Sequence, residues 1–226
     1  MAVIFRFLYQ PFFIKTHISN RVRRLSQGIW PVRNYLRLAG DLTPRMQNAT
    51  KHTIFKTRWG HFGLVGTEKG LLRTYLPRSD PQKIERRLSK DFPHSRNDNG
   101  FLKPLQQQII AYFEGTYVNF NLNIPILLSD FGAFAKKVLL TCRRVRFGRT
   151  ISYGQLAKKA GSPAAARAAG SVMAKNPFPL IIPCHRVIRS NGRIGGFSAP
   201  GGTKLKNRLL QFEQKELRKA VRNLDF

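Results

Sequence analysis

Acidic residues are scarce in this chain. Eleven Asp and Glu stand against 40 Lys and Arg, a formal net charge of +29 over 226 residues. The first acid is Asp41, and before it come Arg6, Lys15, Arg21, Arg23, Arg24, Arg33 and Arg37. An excess this large argues for a polyanionic partner, nucleic acid first, over a merely solvated basic surface. Cysteine is nearly absent as well: Cys142 and Cys184 are the two thiols. Two thiols build neither a disulfide framework nor a Cys-rich zinc site, so nothing points to an oxidising compartment. Long apolar runs are missing too. No stretch approaches the roughly 18 apolar residues of a membrane span, and residues 2–14 are broken by Arg6, Gln10 and Pro11. What remains, at 42% hydrophobic residues, is a globular composition with length for one large or two small domains.

Residues 1–50 read as a basic extension, poorly ordered, with no secretory cleavage pattern; an organellar transit segment is the alternative. From His52 the pattern changes. Thr53–Thr57, Phe62–Thr67 and Leu71–Leu76 read as three short strands, with turns at Trp59-Gly60 and Glu68-Lys69-Gly70. Asp80 and Pro81 then open a helix whose apolar face holds Ile84 and Leu88. Leu105, Ile109 and Phe113 recur at helical spacing up to Gly115, and Val118, Phe120, Leu122 and Ile124 alternate with asparagines as a half-buried strand would. Residues 51–128 are thus expected to form a small α+β scaffold domain around a three-stranded antiparallel sheet. A helical domain over 129–226 follows.

In that second part, Phe134, Val138, Leu139, Cys142 and Val145 mark an amphipathic helix, with Cys142 facing the core as a structural residue. Ser152 and Gln155 make a capping box for a short helix that stops at Gly161. Ser162 and Pro163 open a second one, almost all alanine around Arg167. Two helices joined by a Gly-containing turn form a helix-turn-helix pattern. Small side chains at Ala165, Ala166 and Ala168 let such a helix lie close to a nucleic-acid backbone while Arg167 projects. An ordinary tightly packed hairpin is the other reading.

Residues 176–188 read Asn-Pro-Phe-Pro-Leu-Ile-Ile-Pro-Cys-His-Arg-Val-Ile. Three prolines interrupt the apolar run, which excludes a helix or a central strand and predicts a stiff, buried, extended segment. Such a segment could present Cys184 beside His185 as a reactive thiol. On these two residues alone, a buried inert cysteine next to a surface histidine fits equally well. A last helix, about Thr203–Asn223, turns Leu205, Leu209, Leu210 and Phe212 inward and carries Glu213 among lysines and arginines.

Pro183 to Val187, behind a helix-turn-helix and ahead of the loop Gly195–Gly202 (GGFSAPGG), resembles the O6-alkylguanine-DNA alkyltransferases, the methylated-DNA–protein-cysteine methyltransferases. Gly148–Ala157, Pro163–Gly170 and Asn176–Ile188 fall in that family's order and spacing, so the resemblance covers about the C-terminal 95 residues. The N-terminal domain is similar more loosely. The resemblance implies an α+β fold with a ribonuclease H-like first domain and a winged-helix-like second one. It also implies direct-reversal DNA repair by irreversible, single-turnover transfer of the alkyl group of a flipped O6-alkylguanine, less so O4-alkylthymine, to Cys184. His185 would take the thiol proton through water, Glu213 would orient the imidazole, and Tyr153 would donate toward the departing guanine. Asn176 would brace the turn. Arg167 would fill the space of the flipped base, with Ala165, Ala166, Ala168 and Ser152 at the DNA. Tyr153, Gly195, Phe197, Ser198 and Ala199 would line the alkylguanine pocket. Phe197, Leu139 and Arg146 depart from the family's usual tyrosine, tryptophan and proline. The expected protein is a monomer on double-stranded DNA, with no cofactor, metal or membrane partner. It would be cytoplasmic and nucleoid-associated, or nuclear or organellar in a eukaryote. A non-catalytic lesion sensor is the alternative function, and possession of Cys184 argues against it.

Overall fold

The computed structural model describes residues 50–120 and 124–222. The basic leader, the middle of the expected asparagine-rich strand (residues 121–123) and Asn223 lie outside the described residues. The first half is a meander of β1 (Lys51–Thr57), β2 (Gly60–Thr67) and β3 (Gly70–Arg78). β1 pairs antiparallel with β2, and β2 with β3. Gly60 and Gly70 sit at φ +117° and +146°, which tight turns ask for and only glycine takes easily. Ile84 and Leu88 of α1 (Gln82–Asp91) and Leu105, Ile109, Tyr112 and Phe113 of α2 (Lys103–Glu114) are buried.

Two expectations need correction here. The sheet has four strands in the order β3-β2-β1-β4, because β4 (Arg96–Asn97) runs parallel to β1 beside Lys51 and His52. A two-residue, fully polar edge strand leaves no hydrophobic period to detect. Val118–Phe120, expected in a strand, is irregular: Phe120 is buried, but this chain segment meets the sheet later, through Leu71 N–H to Pro125 O (2.8 Å) and Leu127 N–H to Leu71 O (2.9 Å).

The second half starts with α3 (Ala133–Arg143), which buries Val138, Leu139 and Cys142 and ends before Val145, two residues short of the expected face. β5 (Ile151–Ser152) leads into α4 (Tyr153–Lys159). There the Ser152 hydroxyl accepts from Gln155 N–H at 3.1 Å and the Gln155 side-chain Oε1 from Ser152 N–H at 2.9 Å, the expected capping box. Gly161 follows at φ +84°. α5 runs Ala166–Ala174, starting later than Ser162 and Pro163 suggested. Those two residues form a turn instead, closed by Ala165 N–H to Ser162 O at 3.0 Å.

The proline-rich stretch is buried, yet it doubles back rather than running extended. Ile182 N–H bonds to Phe178 O at 2.8 Å, and Leu180 sits at φ +79° in the left-handed region. Leu180 is almost wholly buried, so packing holds a backbone conformation that a branched side chain resists. A 3₁₀ turn (Cys184–Arg186) and β6 (Val187–Ile188) come next, and then α6 (Gly202–Arg222). β6 pairs parallel with β5, Ile151 opposite Val187, so the start of α4 lies beside the cysteine turn. One apolar cluster, from Phe62 and Tyr112 to Phe178 and Leu209, joins the two halves.

Candidate active site

The turn before the cysteine is tied at both ends by one side chain. Asn176 accepts from Phe178 N–H at Oδ1 (3.0 Å) and donates from Nδ2 to Ile182 O (2.8 Å). Strand β3 clamps the same turn from the first half: Thr74 N–H donates to Pro177 O (2.9 Å) and the Thr74 hydroxyl to Pro179 O (2.8 Å). Prolines cannot donate, so their carbonyls are what the turn offers to these partners. The thiol that emerges, Cys184, is 7% exposed. Burial pushes it above its ordinary pKa, against the opposing pull of the Asn176 side chain and the Lys206 charge. At neutral pH it rests as a thiol, and reactivity demands a base.

A group with the chemistry of a base is the next residue in the chain. His185 is buried, and its Nε2 lies 2.8 Å from Glu213 Oε1. A proton on Nε2 satisfies the carboxylate and leaves Nδ1 with a lone pair; Nδ1 makes no hydrogen bond to a protein group. Burial holds the imidazole below its ordinary pKa, more than the neighbouring carboxylate restores, so it is neutral at physiological pH. A neutral imidazole with a free nitrogen can accept a proton.

Glu213 has no exposed surface, and its net charge is held by a complete set of donors. Arg186 gives Nη2 to Oε1 at 2.8 Å and Nε to Oε2 at 2.9 Å. Tyr112 donates its hydroxyl to Oε1 at 2.7 Å, and Gly148 N–H reaches Oε2 at 3.0 Å. Burial alone would raise this carboxyl, but His185 and Arg186 outweigh it and keep the group well below the usual carboxylate range. Glu213 thus lies within hydrogen-bond distance of His185, a contact that the sequence left open.

Tyr153 opens α4, half-buried, and burial raises its phenol. Gly195 is packed against it so closely that an added Cβ would stand 2.6 Å from the Tyr153 oxygen, so glycine alone fits. Phe197 and Ala199 are half-buried in the following loop. Exposed Ser198 ties that loop to the end of α5 by donating to Ala174 O at 2.6 Å. Arg167 is exposed near the start of α5, with Ala166 half-buried and Ala168 exposed beside it, and Ala165 and Ser152 precede their helices. Tyr153 lies within electrostatic reach of Cys184, and the Lys206 ammonium is 5.7 Å from the centre of its ring, whereas Arg167 and Ala168 face solvent.

Four participants escaped the sequence reading. Arg186, given no role from the sequence, is 5% exposed and grips both Glu213 and Val145 O (2.6 Å). Lys206 is wholly buried and donates to Val187 O (2.6 Å) on the strand that leaves the cysteine turn. Tyr112 and Thr74 come from the first half. A signal existed for one of them: Lys206 stands two helical turns before Glu213, on the same face of α6. Among the described residues no three His, Cys, Asp or Glu side chains cluster as metal ligands would.

Fold and site together define a mixed α+β protein built around a buried thiol with a histidine–carboxylate pair beside it. Residues 50–126 match the family model for the ribonuclease-like domain of 6-O-methylguanine DNA methyltransferase, and residues 133–215 that for its DNA-binding domain. The methylated-DNA--protein-cysteine methyltransferase of Cricetulus griseus is 37% identical over 179 residues, covering 72% of this chain and 81% of that protein. The protein of the same name from Methanosarcina acetivorans is 33% identical over 163 residues, covering 72% and 97%. Crystal structures of the Mycobacterium tuberculosis O6-methylguanine methyltransferase (TM-score 0.59, 27% identity) and of the OGT of that organism in complex with DNA (0.60, 28%) each cover 74% of this chain and 94% of theirs. The chain belongs to the 6-O-methylguanine DNA methyltransferase family.

Proposed function

We propose that this protein repairs DNA by taking the alkyl group of O6-alkylguanine onto Cys184, and that residues 51–128 scaffold a DNA-binding, alkyl-accepting unit over 129–226. The observation that carries the reading is the buried His185–Glu213 pair, with the uncommitted Nδ1 of the residue next to the thiol. The target alkyl group is inaccessible inside a duplex, so the nucleotide leaves the stack, which costs a few kcal/mol. α4 and α5 serve as the helix-turn-helix of a winged-helix-like unit. Arg167 enters the space of the flipped base, and the small Ala165, Ala166 and Ala168 permit close approach. Tyr153, Gly195, Phe197, Ser198 and Ala199 line the pocket.

The chemistry balances within the site. The thiol proton passes to His185 Nδ1 by way of water, Glu213 stabilises the imidazolium, and the sulfur attacks the alkyl carbon. The S–C bond forms as the C–O bond breaks, and the electron pair goes to the guanine oxygen, with Tyr153 donating a proton toward the developing charge. An S-alkylcysteine has no hydrolytic exit, so each chain reacts once. Acting on DNA, the protein would associate with the nucleoid or nucleus, and a single chain carries every group the scheme needs.

The test is transfer from a methyl-labelled O6-methylguanine duplex. Label moves onto the protein, saturates near one equivalent per chain and disappears with Cys184→Ala, which still binds the duplex. Tight lesion binding without transfer by the wild type would replace this reading with that of a lesion sensor.

A further inference from the structure

The first half of the chain holds no cysteine, and its expected part is scaffolding. One of its side chains nevertheless ends on the relay. Tyr112 of α2 is fully buried, and its hydroxyl lies 2.7 Å from Glu213 Oε1, the oxygen that also faces His185 Nε2 at 2.8 Å. Resting on the alkyl-transfer reading, we infer that Tyr112 is a positioning residue of the reaction: its hydroxyl sets how strongly Glu213 holds a proton on His185.

The geometry leaves the hydroxyl little freedom. The ring is packed edge-on against Phe113 and Phe147, with centroids at 5.0 and 5.7 Å, and against Phe212 of α6 at 5.7 Å. Burial and the adjacent carboxylate raise the phenol well above its ordinary pKa, so it stays a donor throughout the working range. Among the described residues, the charged and titratable groups acting on His185 and Glu213 are Arg186 on the 3₁₀ turn, Lys206 on α6 and Tyr112 on α2, with the Gly148 N–H from the loop before β5. Arg186 supplies charge to both carboxylate oxygens, whereas Tyr112 binds only the one that His185 uses.

Hydrogen bonds to a carboxylate favour its charged form, so losing one makes it more basic. A more basic Glu213 stabilises the imidazolium, and His185 then keeps a proton to higher pH, where it cannot serve as base. In Tyr112→Phe the acid limb of the pH–rate profile for alkyl transfer therefore moves up by roughly half to one pH unit, a loss of about three- to ten-fold on that limb, with less change on the plateau. Tyr112 replaced by 3-fluorotyrosine, a stronger donor that keeps the ring, moves the limb down. Thr74→Val is the comparison: it removes a hydrogen bond between the same half and the cysteine turn without touching Glu213, and it leaves the limb where the wild type has it.

The same shifts are read without turnover from the His185 imidazole midpoint by NMR, so failure of the alkyl-transfer reading and failure of this inference separate. An unmoved limb and midpoint in both Tyr112 variants, or equal movement in Thr74→Val, would overturn the role and leave Tyr112 as packing.

Discussion

Two arginines of this protein answer to opposite physics. Arg186, on the 3₁₀ turn, is 5% exposed and places its guanidinium between both oxygens of Glu213 and a backbone carbonyl. Arg167, at the start of α5, is exposed. The first is fixed because a buried carboxylate needs a planar, permanently charged donor set. The second is free to move into something that is not part of the chain. The region around Arg186 has exchanged solvent for an internal charge network, and its function and its stability cannot be separated. The region around Arg167 keeps them apart, so function there can change while the fold stays as it is.

Truncating the buried arginine is the strongest way to break that contrast. Arg186→Ala leaves Glu213 with the Tyr112 hydroxyl, the Gly148 N–H and His185, but without its permanent counter-charge. Removal of one partner from a buried pair destabilises by about 3 kcal/mol or more, a shift in thermal midpoint of several degrees for a domain of this size. Calorimetry of the purified variant measures it. A midpoint equal to that of the wild type would mean that the buried network contributes nothing net.

Acid should act on the same region and with a definite sign. His185 is held below its ordinary pKa by burial. The unfolded chain therefore binds a proton below about pH 6.5 that the folded chain refuses. Glu213, opposed by burial but pulled down by His185 and Arg186, adds stability that is complete above the ordinary glutamate pKa and is lost as pH falls toward the depressed folded value. Both contributions weaken the fold on acidification, first through His185 and then through Glu213. His52, also lowered by burial, works in the same direction, so the relay's share is read from His185→Gln against the wild type. Urea unfolding between pH 7.5 and pH 5 gives the slope. A stability that rises on acidification would contradict the neutral, buried imidazole.

Why one of these regions was legible in the sequence and the other only half so follows from what each is made of. The capping box at Ser152, the glycines at 60, 70 and 161 and the helical faces of Ile84, Leu88, Ile109 and Phe113 are local, and local rules found them. The cysteine turn was legible as buried and proline-bound, but not as folded back, because the left-handed Leu180 is imposed by packing and by the two bonds of Asn176. β4 has no apolar residue to betray it. Pairing of β5 with β6 and the arrival of Tyr112 at Glu213 join residues far apart in the chain, and no spacing rule reaches that far. From the helix pattern alone Glu213 was one more charge among lysines and arginines, and only the family resemblance gave it a role. Its burial, with Lys206 two turns earlier, is a property of the face that α6 turns inward.

The smallest effect on stability is expected at Arg167, and that makes it the sharpest test of the comparison. Its side chain is exposed, and the helix keeps its Ala169 and Met173 anchors whatever stands at position 167. Arg167→Ala should therefore unfold within about 0.5 kcal/mol of the wild type, as exposed substitutions do. Alanine is also at least as good a helix former there. If Arg167 fills the space of the extruded base, as proposed, repair of O6-methylguanine in duplex DNA should nonetheless slow markedly. Reaction with free O6-benzylguanine, which needs no flipping, should fall far less. Rates on the two substrates measured side by side decide it. Equal losses on both would place Arg167 with the pocket rather than the duplex, and a loss of stability matching that of Arg186→Ala would dissolve the distinction between the two arginines.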